Sequence, residues 1–228
     1  GSPFRGVELL PGELERGASL VGVDERGRPL PTQTKCLTTW NKDLKCVRWL
    51  LVDFQADLPA DRERTLFLQR STDAPPAPDQ PVKVDRQEAV TVIDTGALRV
   101  TLRSRHPYYQ APEERDFLAR CEVKTAGGWR DVLRAEKGFF LYMKDQHGNL
   151  YDTCTAGPRP LVTVEEAGPL RACIRVDGWH AAQDGAHFCP FILRLHFFAG
   201  SADVRIHHTF IFDQEAHAVE LSAIGVKL

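Results

Sequence analysis

Apolar residues recur along this chain at every second position or in short runs, and no stretch of ten residues carries a sustained helical period. That pattern limits the fold before composition is considered, because alternation marks half-buried strands whereas helices need apolar residues three or four apart. Strand patterns read at 19–23, 47–54, 65–69, 89–93, 98–102, 118–123 and 139–143, and again at 161–164, 172–176, 188–198, 204–212 and 219–228. Turn chemistry separates them: Asp24-Glu25-Arg26-Gly27, Gly127-Gly128, His147-Gly148-Asn149, Asp177-Gly178 and Ala199-Gly200-Ser201. Only Pro112-Glu113-Glu114-Arg115-Asp116 offers room for one short helical turn. The chain is expected to be all-β.

One shift in composition divides it. Residues 71–81 carry four prolines and no aliphatic side chain larger than alanine. Proline cannot donate to a sheet ladder and favours extended, semi-rigid chain. The segment reads as a linker, with a first domain over residues 3–70 and a second over 82–228. A domain of about 70 residues sits near the lower limit for a self-sufficient core.

The formal net charge of -2 supplies no basic field, so neither nucleic acid nor an anionic membrane is expected as a partner. Hydrophobic content of 43% and charged content of 26% fit a globular chain rather than a disordered one. No apolar run approaches the roughly 20 residues that span a bilayer. Gly1-Ser2 has the look of an expression remnant, which leaves a native signal peptide, and so the compartment, open. The six cysteines form no C-x-x-C pair, and most read as small buried apolar residues, with Cys173 to Cys189 the one bridge worth considering. No Walker, dinucleotide or G-x-S-x-G motif occurs, no metal-ligand spacing stands out, and no cofactor is expected.

Several motifs, in order, carry a resemblance. They are Gly6-Val7-Glu8-Leu9, Gly27-Arg28-Pro29-Leu30-Pro31-Thr32-Gln33, the run from Cys46 to Leu58 and Asp94-Thr95-Gly96-Ala97-Leu98-Arg99-Val100. Val162 to Ala172, Ile174 to His180 and Leu193 to Ser201 follow. Together they resemble the front end of exo-acting rhamnogalacturonan lyases and their relatives. The resemblance implies a small N-terminal β-barrel followed by a β-sandwich of polysaccharide-lyase type. In the family a helical toroid follows, and no segment here has the period to supply one. It also implies β-elimination on an acidic, pectic polysaccharide by the whole protein, and a secreted or periplasmic location. Polysaccharide, or the absent helical domain, would then be the partner.

Elimination of a uronate needs a group to neutralise the carboxylate, a base for the C5 proton and an acid for the leaving oxygen. Arginine suits the first role because its planar fork pairs bidentately with carboxylate. Arg194 and His196 alternate with Leu193, Leu195 and Phe197, and Arg205 and His207 alternate with Val204, Ile206 and His208. A hairpin through Ala199-Gly200-Ser201-Ala202 would bring those four polar residues onto one sheet face, as sugar contacts or as cross-strand ties. His106, Tyr108 and Tyr109 sit on a polar aromatic loop whose Pro107 keeps His106 out of helical geometry, and tyrosine rings suit pyranose faces. Trp49 lies in an apolar run and is expected in the core of the first domain. Arg48 and Asp53, five apart on one strand, point to opposite faces. The catalytic residues themselves stay unassigned. A free-standing β-rich module that binds glycan or protein, or an assembly protein using an exposed strand at 219–228, are the alternatives.

Overall fold

The computed structural model of the protein describes residues 4–40, 45–57, 60, 63–104, 117–133, 139–154, 159–215 and 217–227. Among them are eighteen strands and no helix, as the periodicity required. The loop with His106, Tyr108 and Tyr109, and the segment Pro112 to Asp116, lie outside the described residues.

One compact unit comprises Gly1–Pro81 together with Gly168–Arg171. Its strands are β1 (Phe4–Glu8), β2 (Ser19–Val23), β3 (Pro29–Leu30), β4 (Thr32–Thr39), β5 (Val47–Phe54) and β6 (Phe67–Ser71). They form two antiparallel three-stranded sheets, ordered β1-β5-β4 and β3-β2-β6. Leu14, Leu20, Val47, Leu50 and Val52 make the core, with Val7, Leu9, Cys36 and Phe54 packed against it, so both sheets contribute. Trp49 is a correction. It shares its face of β5 with Leu51 and Asp53 rather than with Leu50 and Val52, and is only partly buried, beside Gly6.

The motif residues of this unit hold a turn. Gln33 Oε1 accepts from the backbone N–H groups of Leu170 and Arg171 at 3.0 Å each, and its Nε2 donates to the Arg171 carbonyl at 3.1 Å. Gly168 must be glycine here, since any Cβ would collide with the Gln33 amide. Arg171 Nε reaches both carboxylate oxygens of Asp53 at 3.0 Å, with both side chains buried. Arg48, on the other face of β5, stands over the Trp40 ring at 4.5 Å and near Glu8.

The second unit comprises Val82–Ala167 and Ala172–Leu228. Its first sheet runs β11-β10-β9-β8-β7, from β7 (Lys83–Arg86), β8 (Val90–Asp94), β9 (Leu98–Arg103), β10 (Leu118–Thr125) and β11 (Gly128–Asp131). Its second runs β17-β16-β15-β13-β12-β18, with β14 also paired to β15. Those strands are β12 (Phe140–Asp145), β13 (Leu150–Asp152), β14 (Leu161–Ala167), β15 (Arg171–Ala181), β16 (His187–Phe198), β17 (Val204–Phe210) and β18 (Leu221–Lys227). Ile93, Leu98, Val100 and Leu102 of one sheet, and Ile174, Val176, Leu193 and Phe197 of the other, are buried. Phe117 meets Phe139 edge-on at 5.6 Å. Thr95 ties the layers at one end. Its Oγ lies 2.6 Å from the Ser201 carbonyl, and its own carbonyl accepts from Gly200 N–H at 2.8 Å.

Two expectations fail for local reasons. Asp177-Gly178 is not a turn but the middle of β15, and its glycine is there because a Cβ would meet the Phe191 ring at 2.9 Å. Most cysteines read in the sequence as small buried residues, but only Cys173 and Cys189 are buried, the other four being partly so, and no disulfide joins that pair.

Arg171→Met should test the buried pair of the first unit. Removing the guanidinium takes the cation of this pair from a buried carboxylate, a loss of about 3–5 kcal/mol. Urea denaturation measures it, and Asp53→Leu combined with Arg171→Met should recover most of the difference. A single variant as stable as wild type would show that the pair adds nothing.

Candidate functional site

Antiparallel register decides which side chains share a face, because residues directly opposite each other point the same way. In the β16–β17 hairpin Arg194 faces His207 and His196 faces Arg205, so all four lie on one side of the sheet. Leu193, Leu195 and Phe197 take the inner side. Arg175, Asp177 and Cys173 join the same outer face from β15, where they alternate with the buried Ile174 and Val176 and Cys173 Sγ comes within 3.9 Å of His196 Nε2.

Glu165 is the hub of this face, on the same side of β14 as Leu161 and Thr163. A β-bulge between Val164 and Glu166 leaves Glu165 as an extra residue and sets Glu166 opposite Cys173, on the same face. Glu165 reaches across β15, over a distance of about 10 Å between strands two apart. There it accepts two hydrogen bonds from Arg194, from Nε at 2.7 Å and Nη2 at 2.9 Å. Cys173 permits the crossing because its side chain is small. Its buried Sγ lies 3.5 Å from Glu165 Oε2 and 3.9 Å from His196 Nε2. Arg175 approaches Glu165 at 3.7 Å and grips Asp177 with Nε and Nη2 at 2.6–2.9 Å. These hydrogen bonds from Arg194 hold the Glu165 carboxyl below its ordinary range, and Glu165 and Asp177 raise the two guanidiniums.

The consequence for chemistry is direct. The Nε/Nη2 edges of Arg194 and Arg175, the forks suited to a uronate, are already filled by carboxylates of this chain. His196 is buried beside Cys173, with its ring 5.0 Å from that of His207, which is exposed at the sheet's edge strand. Arg205 stands over the Phe198 ring at 5.7 Å. Among the described residues no group of three or more His, Cys, Asp or Glu is placed to hold a metal ion.

One more residue of this face comes from a second irregularity, and it meets another that regular alternation supplies. Cys189 has a φ of 42°, and Pro190 follows it. Its carbonyl accepts from His180 Nδ1 at 2.7 Å and its N–H donates to Asp213 at 3.1 Å. The kink shifts the alternation of β16 by one residue, so Phe188 packs inside on Tyr151 while His187 emerges outside. There it stacks on Trp179, rings 5.2 Å apart and 18° from parallel. Trp179 is 41% exposed. The sequence does hold the signal, since Trp179 continues the outer-face series Cys173, Arg175, Asp177.

The inner face carries its own pair. His208, next to His207 but opposite in direction, lies 5.7 Å from the fully buried His180. Burial first, and the neighbouring His180 second, hold the His208 imidazole down to about 4, and burial lowers His180 as well.

A two-layer β-sandwich with a charged, aromatic outer face is the class these observations define. The sequence model of the PcRGLX-like protein central beta sandwich domain matches residues 82–228, and the chain belongs to that rhamnogalacturonan-lyase-like family. It is also 21% identical over 230 residues to the uncharacterized protein YetA of Bacillus subtilis (strain 168). That alignment takes in 97% of this chain and 24% of YetA, so the chain spans about a quarter of the length of its curated relative.

The inner-face histidines set a pH dependence. An imidazole held below its ordinary value of about 6.5 stays neutral in the folded chain while the unfolded chain takes up a proton. Stability from this source is complete above about pH 6.5 and is lost as the pH falls towards about 4. Urea midpoints measured between pH 7 and 4.5 should decline, and His208→Gln should flatten the decline. An unchanged slope in that variant would remove His208 as its cause.

Proposed function

We propose that this chain forms the non-toroid, front part of an exo-rhamnogalacturonan-lyase-like protein, scaffolding and partly lining a cleft for β-elimination of an acidic, pectic polysaccharide. The match of its second unit to the family's central sandwich carries the reading. In it, the two three-stranded sheets of the first unit are the family's small N-terminal barrel. The face bearing Arg194, His196, Arg205 and His207 borders the sugar, and His106, Tyr108 and Tyr109 are further contacts. The base and acid of the elimination lie elsewhere in the whole protein. The internal pairing of Arg194 and Arg175 supports that division of labour, because it leaves this face organised but without a vacant carboxylate clamp.

A second reading, a module that joins another polypeptide, has one observation in its favour. Ile206 and Phe210 lie opposite Leu195 and Phe191, and Ile224 and Val226 opposite Met143 and Leu141, which puts all four on the inner face of the seven-stranded sheet. They are nevertheless 36–46% exposed, at both outer strands. Apolar residues on an open edge invite strand addition. Sedimentation of the purified chain that finds a concentration-dependent dimer, weakened by Ile224→Lys, would select this reading.

The lyase reading makes a direct prediction. Incubated with pectic rhamnogalacturonan, the purified 228 residues should release no unsaturated product, followed by the ultraviolet absorbance of the new double bond. Sustained turnover that His196→Ala abolishes would place the chemistry on the sandwich itself.

A further inference from the structure

We propose that Trp179, flanked by His187 and Asp177, is a pyranoside-stacking subsite that takes a short acidic oligosaccharide running along the outer face of β15. The proposal deepens the glycan-facing reading above and rests on it for the acidic class of sugar.

Tryptophan is the largest apolar side chain, and folding gains most from it when it is buried. Here it stays 41% exposed, and Leu161, 43% exposed, lies opposite its neighbour Asp177 across the β14–β15 ladder. Neither is loose. Behind Trp179, Gly178 lies against the Phe191 ring and fixes the level of the main chain. Beside it, His187 stacks at 5.2 Å, held there by the Cys189 kink. A flat, rigid, partly wet indole matches the apolar C–H face of a pyranose, whose hydroxyls then point outward around the ring.

Those hydroxyls would find oriented partners. Asp177 lies two residues along the strand, about 6.6 Å away, with its carboxylate locked by three hydrogen bonds from Arg175. A carboxylate–guanidinium pair offers acceptor and donor side by side, the pattern that vicinal hydroxyls complement. Farther along the same face stand Arg194 and Arg205, so with Arg175 three guanidiniums share it with the carboxylates Glu165, Asp177 and Glu166, the last lying opposite Cys173. The acidic class therefore comes from the glycan-facing reading, since the charges of this face balance. The aromatic platform supplies the anchor, and the carboxylate–guanidinium pair orients the hydroxyls.

Calorimetric titration with rhamnogalacturonan oligosaccharides, oligogalacturonate and neutral cello-oligosaccharides tests it on wild type, Trp179→Ala, Trp179→Phe and His187→Ala. The exposed position should leave the thermal midpoint of each variant near wild type, which circular dichroism checks. The expected result is binding of the acidic oligosaccharides that weakens about tenfold in Trp179→Ala and is partly restored in Trp179→Phe. Acidic oligosaccharides bound equally well by wild type and Trp179→Ala would overturn the subsite and leave the family's substrate class standing. Neutral oligosaccharides bound through Trp179, with no acidic ones, would keep the platform and overturn both the acidic class and the pectic reading. No heat with any sugar at millimolar concentration would overturn the subsite, while the prediction of no unsaturated product would be judged separately.

Discussion

The inner sides of β15 and β16 must be dry, and the rest of the second unit follows from that. Ile174, Val176, Leu193 and Phe197 are completely excluded from solvent, and each buried aliphatic or aromatic side chain contributes about 1.5–3 kcal/mol relative to exposure. A strand alternates its side chains without exception unless it bulges. Burying those residues therefore forces Cys173, Arg175 and Asp177, and Arg194 and His196, onto the opposite side. The charged face is in the first instance a by-product of the core, and its chemistry depends on how the by-product is neutralised.

Neutralisation is done within the sheet. Glu165 sits between Arg175 and Arg194 and lowers the repulsion that two guanidiniums on adjacent strands would otherwise feel. Its short, paired hydrogen bonds to Arg194 are of the charge-assisted kind, stronger than neutral ones. Because the groups are about a third exposed, water screens part of the gain, and the network is better understood as fixing side-chain geometry than as a large source of stability. Rigid geometry is what a binding face needs.

The readable part of this architecture was the part governed by period. Alternation in 188–198 and 204–212 gave the hairpin, and with it the common face of Arg194, His196, Arg205 and His207. It also set His207 and His208 on opposite sides. What escaped was whatever depended on broken period or on distance along the chain. The bulge that brings Glu166 beside Glu165 and the kink at Cys189 that delivers His187 each shift the register by one residue, and neither has a composition that announces it. Strand β4, Thr32–Thr39, is polar and threonine-rich and shows little alternation, so it is not among the strand patterns of the sequence. Asp53 finds Arg171 across 118 residues, a pairing that no local pattern encodes. Trp49 misled for a related reason. An unbroken apolar run carries no information on which side faces the core, and Leu50 and Val52 took that side.

Charge alone does not make the outer face a uronate clamp, and the arithmetic of exchange explains why. For an incoming carboxylate to take the Arg194 fork it must displace Glu165, trading one pair of charge-assisted hydrogen bonds for another. Each such bond is worth about 1.5–3 kcal/mol net, so the exchange gains nothing and strands Glu165 beside a second anion. Arg175 is engaged by Asp177 in the same manner. An aromatic surface has no such internal competitor once one side of its ring is covered and the remainder is wet. Burying the rest of the Trp179 indole under a sugar adds apolar contact without breaking any bond of the sheet, so on this face the ring, and not the arginines, has binding energy left to give.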